Sequence, residues 1–195
     1  EEASVEALQK KCDAKDWAAC VDLGDHYNFS EFRESKKAKA TALYRRACDA
    51  KFVNGCASLG TMYHYGHGVG EDHGKEVALY RQACDADDSD GCQSLAQSYL
   101  NGDGVPKDVS RAVALYQKEC DRESGNACYA LAGMYRFGEG VAKDEAKSEA
   151  LVERACKLGS SVCQMEAYET AVRPYDDDCR NGDGEACYMI GSAYQ

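Results

Sequence analysis

Twelve cysteines stand in this chain of 195 residues, and they fall into six pairs. Cys12/Cys20, Cys48/Cys56, Cys84/Cys92 and Cys120/Cys128 are eight residues apart, Cys156/Cys163 seven, and Cys179/Cys187 eight again. The first members of the first five pairs recur every 36 residues. Thiols in this arrangement have three uses open to them: disulfide bridges, inert buried thiols, or metal ligation. Structural zinc sites bring ligands in pairs about two to four residues apart, often with histidine. No Cys-x-x-Cys occurs here, and the four histidines do not recur with the cysteines. Disulfides are therefore the leading reading. On one helix, residues eight apart would lie roughly 12 Å from each other, but a disulfide tolerates only about 4.4–6.8 Å between Cα atoms. A bridged pair requires the chain to reverse between its members. The intervening stretches, such as Asp85 to Gly91 and Asp121 to Asn126, are turn-rich. Each bridge would tie the end of one helix to the start of the next and contribute about 2.5 kcal/mol.

Other chemistry finds little support. His64, His67 and His73 lie within ten residues, but no carboxylate or cysteine completes a metal site at a recognisable spacing. They read as a solvated cluster, and no metal or other cofactor is expected. Ser-x-x-Lys, Gly-x-Ser-x-Gly, His-Glu-x-x-His and a phosphate-binding Gly-rich loop are absent. Bridged sulfurs cannot act as thiolates, and the acids Asp87, Asp88 and Asp176 to Asp178 sit in turns as solvated charge. No catalytic residue is assigned, and the chain is not expected to be an enzyme.

The elements between the cysteines follow one template. Leucine stands three residues after each of Cys20, Cys56, Cys92 and Cys128 (Leu23, Leu59, Leu95, Leu131), then a small residue (Gly24, Gly60, Ala96, Ala132). Tyrosine stands seven after (Tyr27, Tyr63, Tyr99, Tyr135). Offsets of 0, 3, 4 and 7 trace one helix face. The small residue admits a neighbouring helix, and the tyrosine fills the remaining core space. Loops such as Gly66-His-Gly-Val-Gly-Glu-Asp72, and those beginning at Gly102 and Gly138, follow. Their glycines suit positive φ, and Asp72, Asp108 and Asp144 are placed to cap a second helix. That helix carries Leu43 and Tyr44, Leu79 and Tyr80, Leu115 and Tyr116, or Leu151 and Val152. Ser30 and Phe32 replace the glycines of the first loop, which is expected to differ.

The expected organisation is a single all-α repeat solenoid. Residues 1–19 form an N-terminal capping helix and turn, 20–163 four full units, and 164–195 shortened, irregular C-terminal repeats. In the last stretch Pro174 suits the first turn of a short helix, and Cys187, Ile190, Gly191 and Tyr194 restore the repeat pattern.

Disulfides at this density call for an oxidising compartment, periplasmic or extracellular. The chain begins Glu1-Glu2-Ala3-Ser4-Val5 with neither a basic nor an apolar leader region, which reads as a mature chain. No run of apolar residues is long enough to span a membrane. A net charge of −11 argues against nucleic acid or an anionic membrane surface as the main partner. It is compatible with a basic partner, although solubility alone would explain it.

Leu-Gly-x-x-Tyr-x-x-Gly-x-Gly-Val-x-x-Asp, followed by Lys/Arg-Ala and Ala-Leu-Tyr, resembles the Sel-one-like repeat. With cysteine pairs at a 36-residue period it is similar to the Helicobacter cysteine-rich proteins and their secreted relatives. The resemblance implies a right-handed α/α superhelix of antiparallel helix pairs, of the tetratricopeptide type, that binds protein segments. It also implies two narrower possibilities: a periplasmic immunity or host-interaction role, or a weak β-lactam-binding or β-lactam-hydrolysing activity. A monomer that binds a protein or peptide partner is the expectation.

Transferring the tetratricopeptide geometry puts offsets 1, 5, 8 and 9 from each first-helix cysteine on a concave groove. The stripe reads Val21, Asp25, Asn28, Phe29; Ala57, Thr61, His64, Tyr65; Gln93, Gln97, Leu100, Asn101; and Tyr129, Gly133, Arg136, Phe137. Aromatic, arginine and amide side chains on such a wall suit peptide recognition. The plainer account is that these are solvated helix positions.

Overall fold

The structure is a computed structural model, and it describes residues 2–29, 34–160 and 162–163. Among these residues there are nine α-helices and no strand. They are α1 (Glu2–Asp13), α2 (Trp17–Phe29), α3 (Glu34–Asp49), α4 (Val53–Tyr65), α5 (His73–Asp85), α6 (Ser89–Asn101), α7 (Val109–Asp121), α8 (Gly125–Phe137) and α9 (Glu145–Lys157). The chain divides into two compact units, residues 1–116 and 117–195, with the division inside α7. The loop at Ser30 and Phe32 and the Cys179/Cys187 pair lie outside the described residues. So do the short helix expected at Pro174 and the final repeat motif.

Five disulfides join Cys12–Cys20, Cys48–Cys56, Cys84–Cys92, Cys120–Cys128 and Cys156–Cys163, with Cα separations of 4.3–5.3 Å. Each turn they close has the same backbone. The residue three beyond the leading cysteine takes the left-handed conformation: Lys15, Lys51, Asp87, Glu123 and Gly159, with φ of 64–74°. Its N–H donates to the cysteine carbonyl, as Lys51 does to Cys48 at 2.8 Å. The next N–H reaches one residue further back, from Phe52 to Ala47 and from Asp88 to Ala83. This pairing satisfies carbonyls that a helix end leaves open. Only the last turn uses glycine there, so four turns hold a side chain where about 1–2 kcal/mol of strain is usual.

The Gly-x-Gly loops end α4, α6 and α8 at Gly66, Gly102 and Gly138, all left-handed. Asp72, Asp108 and Asp144 then cap the following helices, accepting from the N–H groups of Lys75, Arg111 and Lys147 at 2.9–3.0 Å.

In the first unit α2 packs between α1 and α3, and α4 between α3 and α5, with α6 against α5. The first helices of successive repeats, α2, α4 and α6, also touch in sequence. Tyr44 and Tyr80 from the second helices are buried, each laid over the small residue of a first helix. A Cβ on Gly24 would sit 2.5 Å from Tyr44 Cε1, and one on Gly60 2.6 Å from Tyr80 Cε1. In the second unit α8 and α9 pack together, and Ser148 Oγ donates to the Ala132 carbonyl at 2.8 Å.

The tyrosines seven residues after the cysteines do not all belong to the core, as the periodicity suggested. Tyr99 is buried, but Tyr27, Tyr63 and Tyr135 are half-buried. Each of the four faces a cation twelve residues on: Lys39, Lys75, Arg111 and Lys147 lie 4.1–5.4 Å from the ring centres. These positions lie at the helix edge, where a phenol keeps one side on the core and offers the other to a cation.

Two predictions follow from this packing. Gly60→Ala should destabilise the protein by about 1–3 kcal/mol by displacing Tyr80, and Gly133→Ala, which has open space at Cβ, should cost far less; denaturant melts decide between them. Cys84→Ser with Cys92→Ser should lower stability by about 2–3 kcal/mol, and the intact chain should show no free thiol under denaturing, non-reducing conditions.

Candidate functional site

At offset 1 of the expected groove, Val21 and Ala57 are not on an open face, while Gln93 and Tyr129 are half-buried. Ala57 is buried and Val21 packs against two core clusters. A first helix has second helices on both sides, so its apolar stripe is wider than the 0, 3, 4, 7 pattern suggests.

Offset 5 serves the scaffold. Tyr44 Oη donates to Asp25 Oδ1 at 2.6 Å, Tyr80 Oη lies 3.3 Å from Thr61 Oγ1, and Tyr116 Oη donates to Gln97 Oε1 at 3.3 Å. Burial and the Asp25 carboxylate push the Tyr44 hydroxyl well above the ordinary phenol range, and burial raises Tyr80 and Tyr116. In the fourth repeat the tyrosine is replaced by Val152 and its polar acceptor by Gly133. The two positions change together because a buried hydroxyl needs a partner.

Offsets 8 and 9 lie at the ends of the first helices. Asn28 accepts from Lys37 Nζ through both its carbonyl and its Oδ1, each at 2.9 Å. Phe29, Tyr65 and Phe137 are 82%, 61% and 73% exposed. Arg136 is exposed and Tyr129 half-buried. Gln93 bonds back to Ser89, Gln97 donates to Asn101, and Asn101 to Asp103, so these amides are tied along their own segment.

Thr61, His64 and Tyr65 of α4 share one cleft of about 210 Å³ with Gln97 of α6. Glu76 and Tyr80 of α5 form part of its wall, and Asp103 contributes from the loop after α6. Glu76 is only 2% exposed. His64 Nδ1 is 2.9 Å from its Oε1 and His73 Nδ1 2.6 Å from its Oε2. The second nitrogen of His73 is 2.9 Å from Glu71 Oε1. The hydrogen bond to Glu76 raises His73 above the ordinary histidine range. Spacing along the chain offers no carboxylate to complete a histidine cluster, but the fold brings Glu76 onto both His64 and His73. The position was legible in register, since Glu76 aligns with Ala40 and Ala112. His67, by contrast, stands apart with its ring stacked on Tyr65, centroids 5.4 Å apart.

The Sel1 repeat pattern matches residues 17–52, 53–88, 89–122 and 125–160. The chain belongs to the Sel1 repeat family. Each matched Sel1 repeat frames one first helix with its second helix, and the second holds His64, His73 and Glu76 together. A Sel1 repeat protein from Oxalobacter formigenes is similar in fold, with a TM-score of 0.71 at 22% identity over 88% of this chain and 69% of that one. The Helicobacter pylori cysteine rich protein B is similar at 29% identity and a TM-score of 0.52, over 68% of this chain and 96% of that one. No curated protein matches the chain.

The Tyr44–Asp25 bond is measurable. A double-mutant cycle of Tyr44→Phe and Asp25→Ala should give a coupling of roughly 1.5 kcal/mol, the range for a bond to a charged acceptor. The same cycle on Gln93→Ala, whose amide bonds back to Ser89 within α6, with Tyr44→Phe should give a coupling near zero.

Proposed function

We propose that this protein is an exported scaffold that binds a partner protein through the exposed ends of its first helices. The Sel1 repeat is a scaffold typical of protein–protein interaction and generally not enzymatic. The observation that carries the reading is the exposure of Phe29, Tyr65 and Phe137, each the last residue of its helix and each nine residues beyond the first-helix cysteine. An aromatic that stays largely exposed at the same position in three of the four repeats suits recognition of apolar side chains. Arg136 and Tyr129 add a cation and a second aromatic in the fourth repeat.

Five disulfides support folding in an oxidising compartment such as the periplasm or the extracellular space. No described helix is long and apolar enough to cross a membrane. The net charge of −11 is compatible with a partner that has a basic surface.

The test compares the oxidised protein with the variant carrying Phe29→Ala, Tyr65→Ala and Phe137→Ala as baits against the exported fraction of the source cells. The wild type should retain one protein specifically, and the variant should lose it while melting like the wild type. Equal retention by both would overturn the reading. Hydrolysis of nitrocefin with saturation would replace it with an enzymatic one.

A further inference from the structure

Helix α5 carries a buried charge that its counterparts lack. Counting back from the second-helix cysteines, Glu76 stands where Ala40, Ala112 and Ser148 stand in the other repeats, and all four residues are buried. A carboxylate in place of a small residue between packed helices is costly unless its charge is met. It is met by two histidines equally particular to this repeat. His64 replaces Asn28, Leu100 and Arg136, and His73 replaces Lys37, Val109 and Glu145. Facing them, Ser98 stands where two other repeats have Met62 and Met134, and its Oγ lies 3.5 Å from Glu76 Oε1. One departure from a small-residue position, Glu76, therefore meets His64, His73 and Ser98, which occupy positions that vary between repeats, and the four come from three helices.

The geometry points to a divalent transition-metal site, with Zn²⁺ the best-matched ion, held by Nδ1 of His64, Nδ1 of His73 and a carboxylate oxygen of Glu76. Two imidazoles and one carboxylate form a donor set that suits zinc better than calcium or magnesium. The three donor atoms lie within 4.8 Å of one another. Tetrahedral zinc with bonds of about 2.0–2.2 Å separates neighbouring donors by roughly 3.3–3.6 Å, so the 2.9 Å contact to Oε1 and the 2.6 Å contact to Oε2 of Glu76 need to open by about 0.4–1.0 Å as the ion enters. Both histidines are about one-third exposed, which leaves their rings free to make that adjustment.

The surroundings fit the same role. Glu71 Oε1 lies 2.9 Å from His73 Nε2, the outer carboxylate that orients a metal-bound imidazole and raises its basicity. His64 and Glu76 both line the cleft, from which water or an incoming donor would complete the coordination. Three ligands leave the ion with a net positive charge, and Asp103 on the cleft wall offsets it. His67 takes no part.

The experiment uses the full oxidised chain, stripped with a chelator and titrated with zinc sulfate in a calorimeter. A parallel titration with Co²⁺ is followed by the visible absorption of a tetrahedral centre. One equivalent should bind. Glu76→Ala and His64→Asn each install the residue another repeat carries at that position, so the fold is kept, as circular dichroism will show; each should abolish the binding. Glu71→Gln should weaken it about 10- to 100-fold, and His67→Ala should leave it unchanged. The site is refuted if the wild type shows no saturable zinc binding, or if the Glu76→Ala, His64→Asn double variant binds zinc as tightly as the wild type. The first result would leave Glu76 as part of a metal-free ion-pair network.

Discussion

A chain reversal between helix ends, locked by a disulfide, is the constraint on which the rest of this structure depends. With Cα atoms 4.3–5.3 Å apart, each bridged pair fixes where one helix stops and the next begins. The turn inside each bridge needs one residue at positive φ, and four of the five turns hold a side chain there. The covalent tie over-determines that conformation, so its strain is tolerated without glycine. Short helices of 12–16 residues that could not persist alone are thereby held in packing register.

Within that register, a second-helix tyrosine links the two helices of a repeat. Its ring lies on the small residue of the first helix, and its hydroxyl bonds the residue at offset 5. The acceptor is a carboxylate, a hydroxyl or an amide, since the only requirement is a polar atom at that point. Positions that look variable in a single sequence can thus be structural, the variation lying in chemistry rather than in role. The aromatics at offset 9 differ, because Phe29, Tyr65 and Phe137 stay largely exposed even where, as at Tyr65, a histidine ring stacks on one side.

The His64, His73 and Glu76 cluster shows what a repeat protein makes visible. In a regular array, each position has several internal references. A buried carboxylate among alanines marks where the template yields to something else. The binding reading and the metal reading rest on different residues, the first on uncovered aromatics and the second on a buried charge, so each stands without the other. They meet only at the cleft that Tyr65 and Glu76 both line.

The all-helical class, the 36-residue repeat, five of the six cysteine pairs and the capping aspartates were legible in the sequence alone. All of these are local: the cysteine and glycine spacings, the 0, 3, 4, 7 face and the Asp before each second helix specify structure over a few residues. Only the tertiary structure decided which positions at a helix edge are covered. Val21 and Ala57 fall on an open face of an isolated helix, yet α2 and α4 are each flanked by two neighbouring helices. Tyr27, Tyr63 and Tyr135 went the other way, half-emerging beside a cation that follows twelve residues later. The histidine cluster acquired its carboxylate the same way. Glu76 is three residues from His73 but twelve from His64, and only the packing of α5 against α4 brings both imidazoles onto it. Spacing along a chain specifies a helix face; what that face touches depends on the neighbours the fold supplies.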